Sequence, residues 1–180
     1  MKIFLWIIGT LVAIIVIILI IAAFTNKQFT LKREVIINRP KQQVFDYIKL
    51  QKNQEQYSKW AMADPSMNKS YRNTDGTVGF LYAWDSNDKN VGKGEQEITS
   101  ISEGEKVSCE IRFEKPMKGV SHTTMTTEAL SENQTKVTWL FHSQMSYPMN
   151  AMMLFVSMDK MLGTDMETSL TNLKKILDIQ

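Results

Sequence analysis

An unbroken apolar run near the start constrains this chain more than any other feature. Ile3 to Phe24 contains no charged residue. As an α-helix rising ~1.5 Å per residue, the run would extend about 33 Å, enough to cross a hydrocarbon core of ~30 Å. We therefore predict a transmembrane helix over residues 3–24, a linker over residues 25–28, and a folded domain over residues 29–180.

A cleaved secretory signal is the alternative interpretation of this run. The apolar region of such a signal normally covers ~7–15 residues and ends at a small-residue cleavage site. The run here is longer, and Ala22-Ala23-Phe24 is a poor cleavage site. Because no cysteine lies near its end, a lipoprotein anchor is excluded. The sequence favours an anchor that is retained, and hence a single-pass membrane protein.

The flanking charges bear on which side of the membrane holds the domain. Lys2 precedes the run, and the basic residues that follow it are Lys27, Lys32, Arg33, Arg39 and Lys41. The positive-inside rule then favours a cytoplasmic domain. Several of these residues also fall in a predicted strand and helix, and folded domains can be translocated regardless of charge.

Composition excludes several classes of function. The formal net charge is +2, of which Lys2 supplies one, so the domain lacks the basic footprint of a nucleic-acid-binding protein. The only histidines, His122 and His142, belong to no metal-binding motif. Cys109 is the single cysteine and is expected to be a small buried apolar residue. Phosphate-loop, dinucleotide-binding and GxSxG motifs are absent, so no cofactor is predicted.

Hydrophobic periodicity predicts one strand and two short helices after the apolar run. Phe29 to Ile37 is typical of a strand, and Pro40 stands where a helix often begins. Val44, Phe45 and Ile48 have the spacing of one buried helix face. A second short helix is predicted from Asn53 to Trp60, ending at the Asp64-Pro65 turn.

From Met67 the period changes to the alternation typical of strands. Apolar residues occupy every second position in three stretches, which contain Phe80, Tyr82 and Trp84; Val107, Cys109, Ile111 and Phe113; and Val137, Trp139 and Phe141. Short strands joined by tight turns indicate an antiparallel sheet of about seven strands with one face covered. Glu95 and Glu97 alternate with the buried phase and are expected on the solvated outer face, although acid–base catalysis by this pair stays open.

The last segment predicts a long helix. Its apolar residues recur at helical spacing: Met158, Leu162, Met166, Leu170, Leu173 and Leu177. We place the start of this helix near Pro148-Met149-Asn150, which gives it a length of roughly 28 residues. Together, the strand, two short helices, about six further strands and a terminal helix predict an α+β domain.

Several local motifs, in the same order, resemble those of a known superfamily. They are Ile37-Asn38-Arg39-Pro40, Val44-Phe45-Asp46-Tyr47-Ile48, Tyr57-Ser58-Lys59-Trp60, Asp75-Gly76-Thr77-Val78-Gly79, Val91-Gly92-Lys93-Gly94, Thr135-Lys136-Val137-Thr138-Trp139, Tyr147-Pro148-Met149-Asn150 and Gly163-Thr164-Asp165-Met166-Glu167. This set resembles the START-related SRPBCC superfamily, or helix-grip fold, and in particular its branch of polyketide cyclases/dehydrases and lipid-transport proteins. Tyr57, Lys59 and Ser169 depart from residues frequent in relatives.

The resemblance implies a sheet wrapped around the C-terminal helix with an apolar cavity between them. It implies less about activity, because relatives include carriers, cyclases and activators of chaperone ATPases. We predict a cavity lined by residues from the strands and from the helix: Tyr82, Trp84, Cys109, Phe113, Trp139, Phe141, Met158, Leu162 and Met166.

Ordinary core packing explains any one of these residues, but the set includes part of an unusual methionine cluster. The chain has 12 methionines, and seven of them fall between Met145 and Met166. Methionine is flexible and frequent at surfaces that accept variable apolar partners. The leading hypothesis is a membrane-tethered protein that binds a hydrophobic small molecule or lipid, with Tyr82 or Trp84 as an orienting donor.

Two other functions stay open at this point. In a cyclase or dehydratase, Tyr82 or a carboxylate in the cavity would transfer protons, so a converging polar pair would favour an enzyme. A non-catalytic interaction module would act through its surface, and a cavity too small for a ligand would favour that function.

Overall fold

The computed structural model describes residues 2–179 and begins with a long helix, α1 (Lys2–Phe24). The strands that follow are β1 (Gln28–Ile37), β2 (Asn68–Arg72), β3 (Leu81–Asp85), β4 (Lys93–Ser102), β5 (Lys106–Lys115), β6 (Gly119–Ser131) and β7 (Gln134–Gln144). The remaining α-helices are α2 (Lys41–Lys49), α3 (Gln54–Tyr57), α4 (Lys59–Ala63) and α5 (Thr164–Ile179). The predicted α+β class is confirmed.

One antiparallel sheet contains all seven strands, in the order β1-β7-β6-β5-β4-β3-β2. β2 to β7 follow one another as a meander, whereas β1 pairs with the last strand, placing Leu31 opposite Phe141. The helices between β1 and β2, together with α5, cover one face of this sheet. The side chains on that face alternate with outward-facing polar residues, as the sequence pattern predicts.

Polar contacts hold α5 against β1 and the turn that follows it. Near the end of the helix, the Arg39 Nε donates to the Leu177 carbonyl at 2.7 Å and the Lys174 Nζ donates to the Ile36 carbonyl at 2.7 Å. At the other end, Arg33 Nη2 lies 2.8 Å from Asp159 Oδ1. Burial of Leu170 and its neighbours along one stripe completes the packing of α5 on the sheet.

The C-terminal helix is shorter than predicted, so the predicted start near Pro148 is wrong. Residues Met149–Leu154 form a 3-10 helix, and Asp159–Gly163 form a single π-helical turn before α5. The apolar side chains of the 3-10 segment do not continue the stripe that packs on the sheet. Asn150 instead donates to the Ala22 carbonyl of α1 at 2.6 Å. A contact with a different helix therefore replaces the expected sheet contact.

The predicted helix from Asn53 to Trp60 is also interrupted. Ser58 has an extended backbone (ψ 123°) and separates α3 from α4. The break allows the Lys59 N–H to donate to the Ser169 hydroxyl of α5 at 2.9 Å. This junction involves Lys59 and Ser169, two of the positions at which the sequence is expected to differ from the superfamily that it resembles.

α1 is long and apolar enough to cross a membrane. Nearly all of its side chains are exposed, and Ala22 is its one buried residue within the described part of the chain. A helix that is apolar on every side and packs on no core would be unfavourable in water.

The turn between β3 and β4 gives a stability test of this architecture. Gly92 has φ +64°, and a Cβ there would lie 2.1 Å from the Lys115 carbonyl oxygen. We expect Gly92→Ala to lower the free energy of unfolding by about 1–3 kcal/mol, because both the backbone conformation and the close approach disfavour a side chain. Chemical unfolding of the full chain in detergent micelles, followed by tryptophan fluorescence, measures this change.

Gly119 supplies the matched control, because a Cβ there meets no atom within 4 Å. Gly119→Ala should change stability by less than about 0.5 kcal/mol. Equal losses in the two variants would contradict the backbone assigned to the β3–β4 turn.

Candidate functional site

A cavity of about 360 Å³ lies between the covered face of the sheet and the segment from Met149 to Met166. This volume is within the roughly 300–1,000 Å³ typical of small-molecule sites. Its walls are mostly aromatic, aliphatic and methionine side chains from β3, β5, β7, α4 and the C-terminal segment. The curvature of the sheet and the position of α5 at its β1 edge leave this space unfilled.

Eight of the nine side chains predicted for the cavity line it. They are Tyr82, Trp84, Phe113, Trp139, Phe141, Met158, Leu162 and Met166. The ninth, Cys109, packs in the core and is not among the residues that line the cavity. Cys109 shares the covered face of β5 with Ile111 and Phe113, which line the cavity, and it lies two residues, or about 7 Å, beyond Ile111 along the strand.

The Cys109 thiol is also unsuited to chemistry. Burial raises its pKa to about 12. The residue therefore carries a neutral thiol at physiological pH, and the thiolate that would act as nucleophile or metal ligand is not formed. Cys109 acts as a small apolar core residue, as its type suggests.

Several further residues line the cavity, most of them without a clear signal in the sequence pattern. Phe29 contributes from the start of β1, Trp60 from α4, and Met149 and Met152 from the 3-10 segment. Phe29 follows the same alternation as Leu31, which was a usable signal. The other three lie in short or irregular helices, where periodicity does not identify the buried side.

Aromatic contacts order the cavity wall. Trp60 meets Trp139 edge-on with ring centroids 6.2 Å apart, and Trp84 meets Phe113 edge-on at 6.1 Å. The Trp139 Nε1 donates to the Thr123 hydroxyl at 2.6 Å, and the Trp84 Nε1 donates to the Val91 carbonyl at 3.2 Å. Both indole donors are thus occupied within the protein.

Tyr82 is the exception among these polar aromatic groups. It is buried, and within residues 2–179 its hydroxyl has no hydrogen-bond partner. The Tyr82 ring stacks on Tyr71 at a centroid distance of 5.5 Å, which fixes its orientation. An unpaired buried hydroxyl costs free energy, so a group that accepts its hydrogen bond would be stabilising.

Three glutamine side chains form a polar network beside Tyr82. The side-chain oxygen of Gln51, Oε1, accepts hydrogen bonds from the side-chain amides of both Gln54 and Gln96. Gln54 and Gln96 line the cavity, and Gln51 lies behind them. One end of the cavity therefore has amides and a phenol, whereas most of the remaining wall is apolar, apart from small polar groups such as Ser121 and Ser143 and the lysines of the mouth.

The electrostatics of the cavity keep Tyr82 neutral. Burial raises the pKa of the Tyr82 phenol above its ordinary value, and the nearby Tyr71 and Glu55 add to the increase. The phenol is therefore a hydrogen-bond donor at physiological pH and a poor general base. Within the described part of the chain, no Asp, Glu or His lines the cavity.

Glu95 and Glu97 lie outside the cavity, on the opposite face of β4. The Arg112 guanidinium binds Glu97 at 2.7 Å and Glu95 at 2.6 Å, and it also binds Glu110. Glu97 and then Glu95 and Glu110 raise the pKa of Arg112 further above its usual range. The two carboxylates thus form a surface ion-pair cluster, as expected for a solvated outer face.

No metal-binding group was found among residues 2–179, where no three His, Cys, Asp or Glu side chains come together. His142 Nδ1 lies 2.9 Å from the Thr30 hydroxyl, and His122 is exposed on β6. Both histidines are therefore on the face of the sheet away from the cavity.

Exposed lining residues mark the mouth of the cavity. They are Lys115 at the end of β5, Pro116, Met117 and Lys118 in the β5–β6 loop, and Ser146 and Met149 after β7. The β5–β6 loop and the end of β7 lie at the same end of the sheet as the start of β1, because β7 pairs antiparallel with both neighbours. The mouth is therefore at the end of the domain nearest to α1.

Comparison of the sequence with known protein families gives a match that agrees with this fold. Residues 28–178 match the family described as "Polyketide cyclase / dehydrase and lipid transport". The chain belongs to this family. The predicted relationship to the SRPBCC superfamily is thereby confirmed, over essentially the whole of the chain that follows α1.

Solved structures with the same fold are numerous and distant in sequence. Mll3558 from Rhizobium loti has a TM-score of 0.60 at 15% identity, and the superposition covers 82% of this chain and 96% of the Mll3558 chain. CV1439 from Chromobacterium violaceum has a TM-score of 0.59 at 13% identity, and the superposition covers 83% of this chain and 96% of the CV1439 chain. Ara h 8.0201 has a TM-score of 0.55 at 12% identity, and the superposition covers 84% of this chain and 95% of the Ara h 8.0201 chain. These likenesses establish the fold alone, and none of the curated proteins matches the chain.

The unpaired Tyr82 hydroxyl can be tested through stability. Because this hydroxyl lacks a partner, Tyr82→Phe should leave the free energy of unfolding of the ligand-free protein unchanged or slightly higher. Tyr71→Phe is the matched control, since the Tyr71 hydroxyl donates to Glu55. Removing the Tyr71 hydroxyl should lower the free energy of unfolding by roughly 1–3 kcal/mol. Chemical unfolding in detergent micelles measures both, and a similar loss in Tyr82→Phe would contradict the unpaired hydroxyl.

Proposed function

We propose that this protein is a membrane-tethered binding protein for a hydrophobic small molecule or lipid, which it holds in the cavity between the sheet and the C-terminal segment. The observation that carries the proposal is an apolar cavity of about 360 Å³ with one buried, unpaired donor, Tyr82. Binding is non-covalent and driven by apolar burial, which contributes about 25 cal/mol per Å².

The polar end of the cavity gives the ligand an orientation. A carbonyl, hydroxyl or ester oxygen would accept the hydrogen bond from Tyr82, and Gln54 or Gln96 would lie beside it. The apolar part of the ligand would then extend along Trp139 and Phe141 towards the mouth. The preferred ligand therefore has one small polar group and a longer apolar body.

The alternative functions have less support. A cyclase or dehydratase needs a base and an acid at the substrate, whereas the described cavity wall includes no carboxylate or imidazole. A purely surface-acting module would be favoured by a closed core, but the volume here is large enough for a ligand. The family covers both cyclases and lipid-transport proteins, and the cavity chemistry favours the second of these.

The tether is the second part of the proposal. α1 has the length and composition of a single membrane span, and its exposed apolar surface supports a retained anchor. Two of the basic residues that favour a cytoplasmic domain, Arg33 and Arg39, are held by contacts inside the domain. The number of basic residues after α1 that can favour a cytoplasmic domain therefore depends on Lys27, Lys32 and Lys41.

Filling the cavity should separate ligand binding from core packing. Leu162 lines the cavity and is half-buried, so Leu162→Trp should be accommodated with little loss of stability. Uptake of an apolar fluorescent probe by the full chain in micelles should weaken about tenfold, the equivalent of losing about 1.4 kcal/mol of apolar burial. Probe titration and chemical unfolding measure the two effects.

Leu170→Trp is the matched control, because Leu170 is buried on the same helical stripe without lining the cavity. This variant should lose about 1–3 kcal/mol of stability through overpacking. A wild-type protein that takes up no probe, combined with a Leu162→Trp variant as unstable as Leu170→Trp, would refute the binding function.

The anchor can be tested by deletion. Without residues 1–26 the protein should leave the membrane fraction and become soluble, because no other helix within residues 2–179 is long and apolar enough to span a bilayer. Sedimentation after an alkaline wash, which removes proteins that touch the membrane surface without spanning it, measures this with the full chain alongside. A truncated protein that still sediments with membranes would contradict the single anchor, and native protein lacking its first two dozen residues would establish a cleaved signal.

A further inference from the structure

The mouth of the cavity and the end of α1 are joined by a direct contact. The Asn150 side-chain amide donates to the Ala22 carbonyl at 2.6 Å, and both residues are fully buried. Ala22 is among the last four residues of α1, whose carbonyls have no partner within the helix. Asn150 therefore supplies one of the missing donors, and it fixes the 3-10 segment beside the end of the helix.

The chain between α1 and the domain is too short to separate them. Only Thr25, Asn26 and Lys27 lie between α1 and β1, which at ~3.5 Å per residue reach about 10 Å. The Met145 N–H donates to the Lys27 carbonyl at 2.8 Å, so the end of β7 is tied to this linker. Phe29, two residues after Lys27, already lines the cavity.

Apolar side chains are exposed around the same mouth. In the stretch from residue 147 to 156, Phe155 is 71% exposed, and Tyr147, Met149 and Leu154 are also exposed. Across the mouth, the β5–β6 loop exposes Met117. Soluble proteins rarely leave several large apolar side chains exposed together, and such patches mark surfaces that are covered in use.

The basic residues near the mouth are placed to complement a lipid surface. Lys115 at the end of β5 and Lys118 in the β5–β6 loop lie on either side of the exposed Met117, and Lys27 follows α1. Long basic side chains beside an apolar insertion are typical of interfacial segments, where they reach lipid phosphates while the apolar groups enter the acyl region.

We propose that residues 147–156 and the β5–β6 loop form a membrane-embedded lip, so that the cavity opens into the bilayer crossed by α1 and takes its ligand directly from the lipid phase. The occupant of this surface is therefore a lipid bilayer. The inference rests on the proposed tether and names the source of the ligand, a molecule already dissolved in the membrane.

The depth of the lip follows from its contact with α1. Ala22 lies about 3 Å before the end of a helix that, at 23 residues, is only slightly longer than a hydrocarbon core. Asn150 bonds to Ala22, so it lies at the boundary between the acyl chains and the headgroups. Leu154 and Phe155 are in the same short segment, and they enter the bilayer at that level.

This arrangement removes water from the path of the ligand. An apolar molecule that leaves a bilayer through water loses about 0.8 kcal/mol of favourable transfer free energy for each CH₂ exposed. A mouth embedded in the lipid interface allows the molecule to exchange one apolar environment for another. The proposal therefore predicts rapid exchange with lipid and slow exchange with the aqueous phase.

Depth-dependent quenching in vesicles tests the lip. The lone Cys109 is replaced by Ala, a single cysteine is placed at Phe155, and an environment-sensitive NBD label is attached to the full chain in phosphatidylcholine vesicles. The label at position 155 should emit at shorter wavelength and be quenched by lipids with nitroxide-labelled acyl chains. A label at Asn133, exposed in the β6–β7 turn at the far end of the sheet, should show neither effect.

The same samples separate failure of the lip from failure of the tether. A chain that remains in the vesicles after alkaline extraction but leaves position 155 unquenched overturns the lip and keeps the tether. A chain extracted by alkali overturns the tether itself. If the label is quenched while the protein takes up no probe, the lip stands and the proposed ligand binding fails.

A kinetic measurement links the lip to ligand entry. Energy transfer from the cavity tryptophans to a pyrene-labelled fatty acid in the vesicle reports its uptake by the full chain. We expect Leu154→Asp with Phe155→Asp to slow uptake several-fold without changing the final occupancy, because these residues do not line the cavity. Val78→Asp is the control, since Val78 is 60% exposed at the far end of the sheet. Equal uptake rates in all three proteins would overturn the proposal.

Discussion

The position of α5 along the β1 edge of the sheet determines the rest of this structure. Its C-terminal end is held by polar contacts from Ile36 and Arg39, and its beginning is held by Arg33. A single helix cannot cover the concave face of seven strands. With α5 fixed at one edge, the space opposite β3, β5 and β7 is left to α4 and the 3-10 segment, which enclose a cavity without filling it.

Arg33 also explains why the helix changes form at its start. The guanidinium binds Asp159, the first residue of the π-helical turn, at 2.8 Å and Glu167, in the first turn of α5, at 2.6 Å. A Cβ at Gly163 would lie 2.1 Å from Arg33 Nη2, so the absence of a side chain there makes room for the arginine. π-helical turns are frequent at functional sites. Here the turn directs Met158 and Leu162 into the cavity wall.

The sequence predicted those parts of the fold in which one surface is buried along a regular period. Alternation identified the covered face of β5 and β7, and the four-residue spacing from Met158 to Leu177 identified the stripe on the C-terminal helix. Alternation specifies a face but not a position along the strand, and this is why Cys109 was assigned to the cavity together with Phe113. The segment around Asn150 was predicted as helix because its packing partner, α1, is distant in sequence.

The unpaired hydroxyl of Tyr82 could not have been predicted at all. Sequence identifies a tyrosine on the covered face, but whether its hydroxyl finds a partner depends on every neighbouring side chain. Trp84 and Trp139 have the same aromatic character, yet Val91 and Thr123 occupy their donors. The property that distinguishes Tyr82 therefore arises only from the assembled structure.

With α1 as the proposed membrane anchor, the three-residue linker that follows it also limits where the protein can act. A soluble carrier moves its cargo through bulk water between distant compartments, whereas a domain within about 10 Å of its own anchor cannot leave that surface. Its search for cargo and for recipients is two-dimensional and is confined to one leaflet. Delivery then requires a recipient that diffuses in the same membrane, so the proposed function is that of a local reservoir rather than of a long-range shuttle.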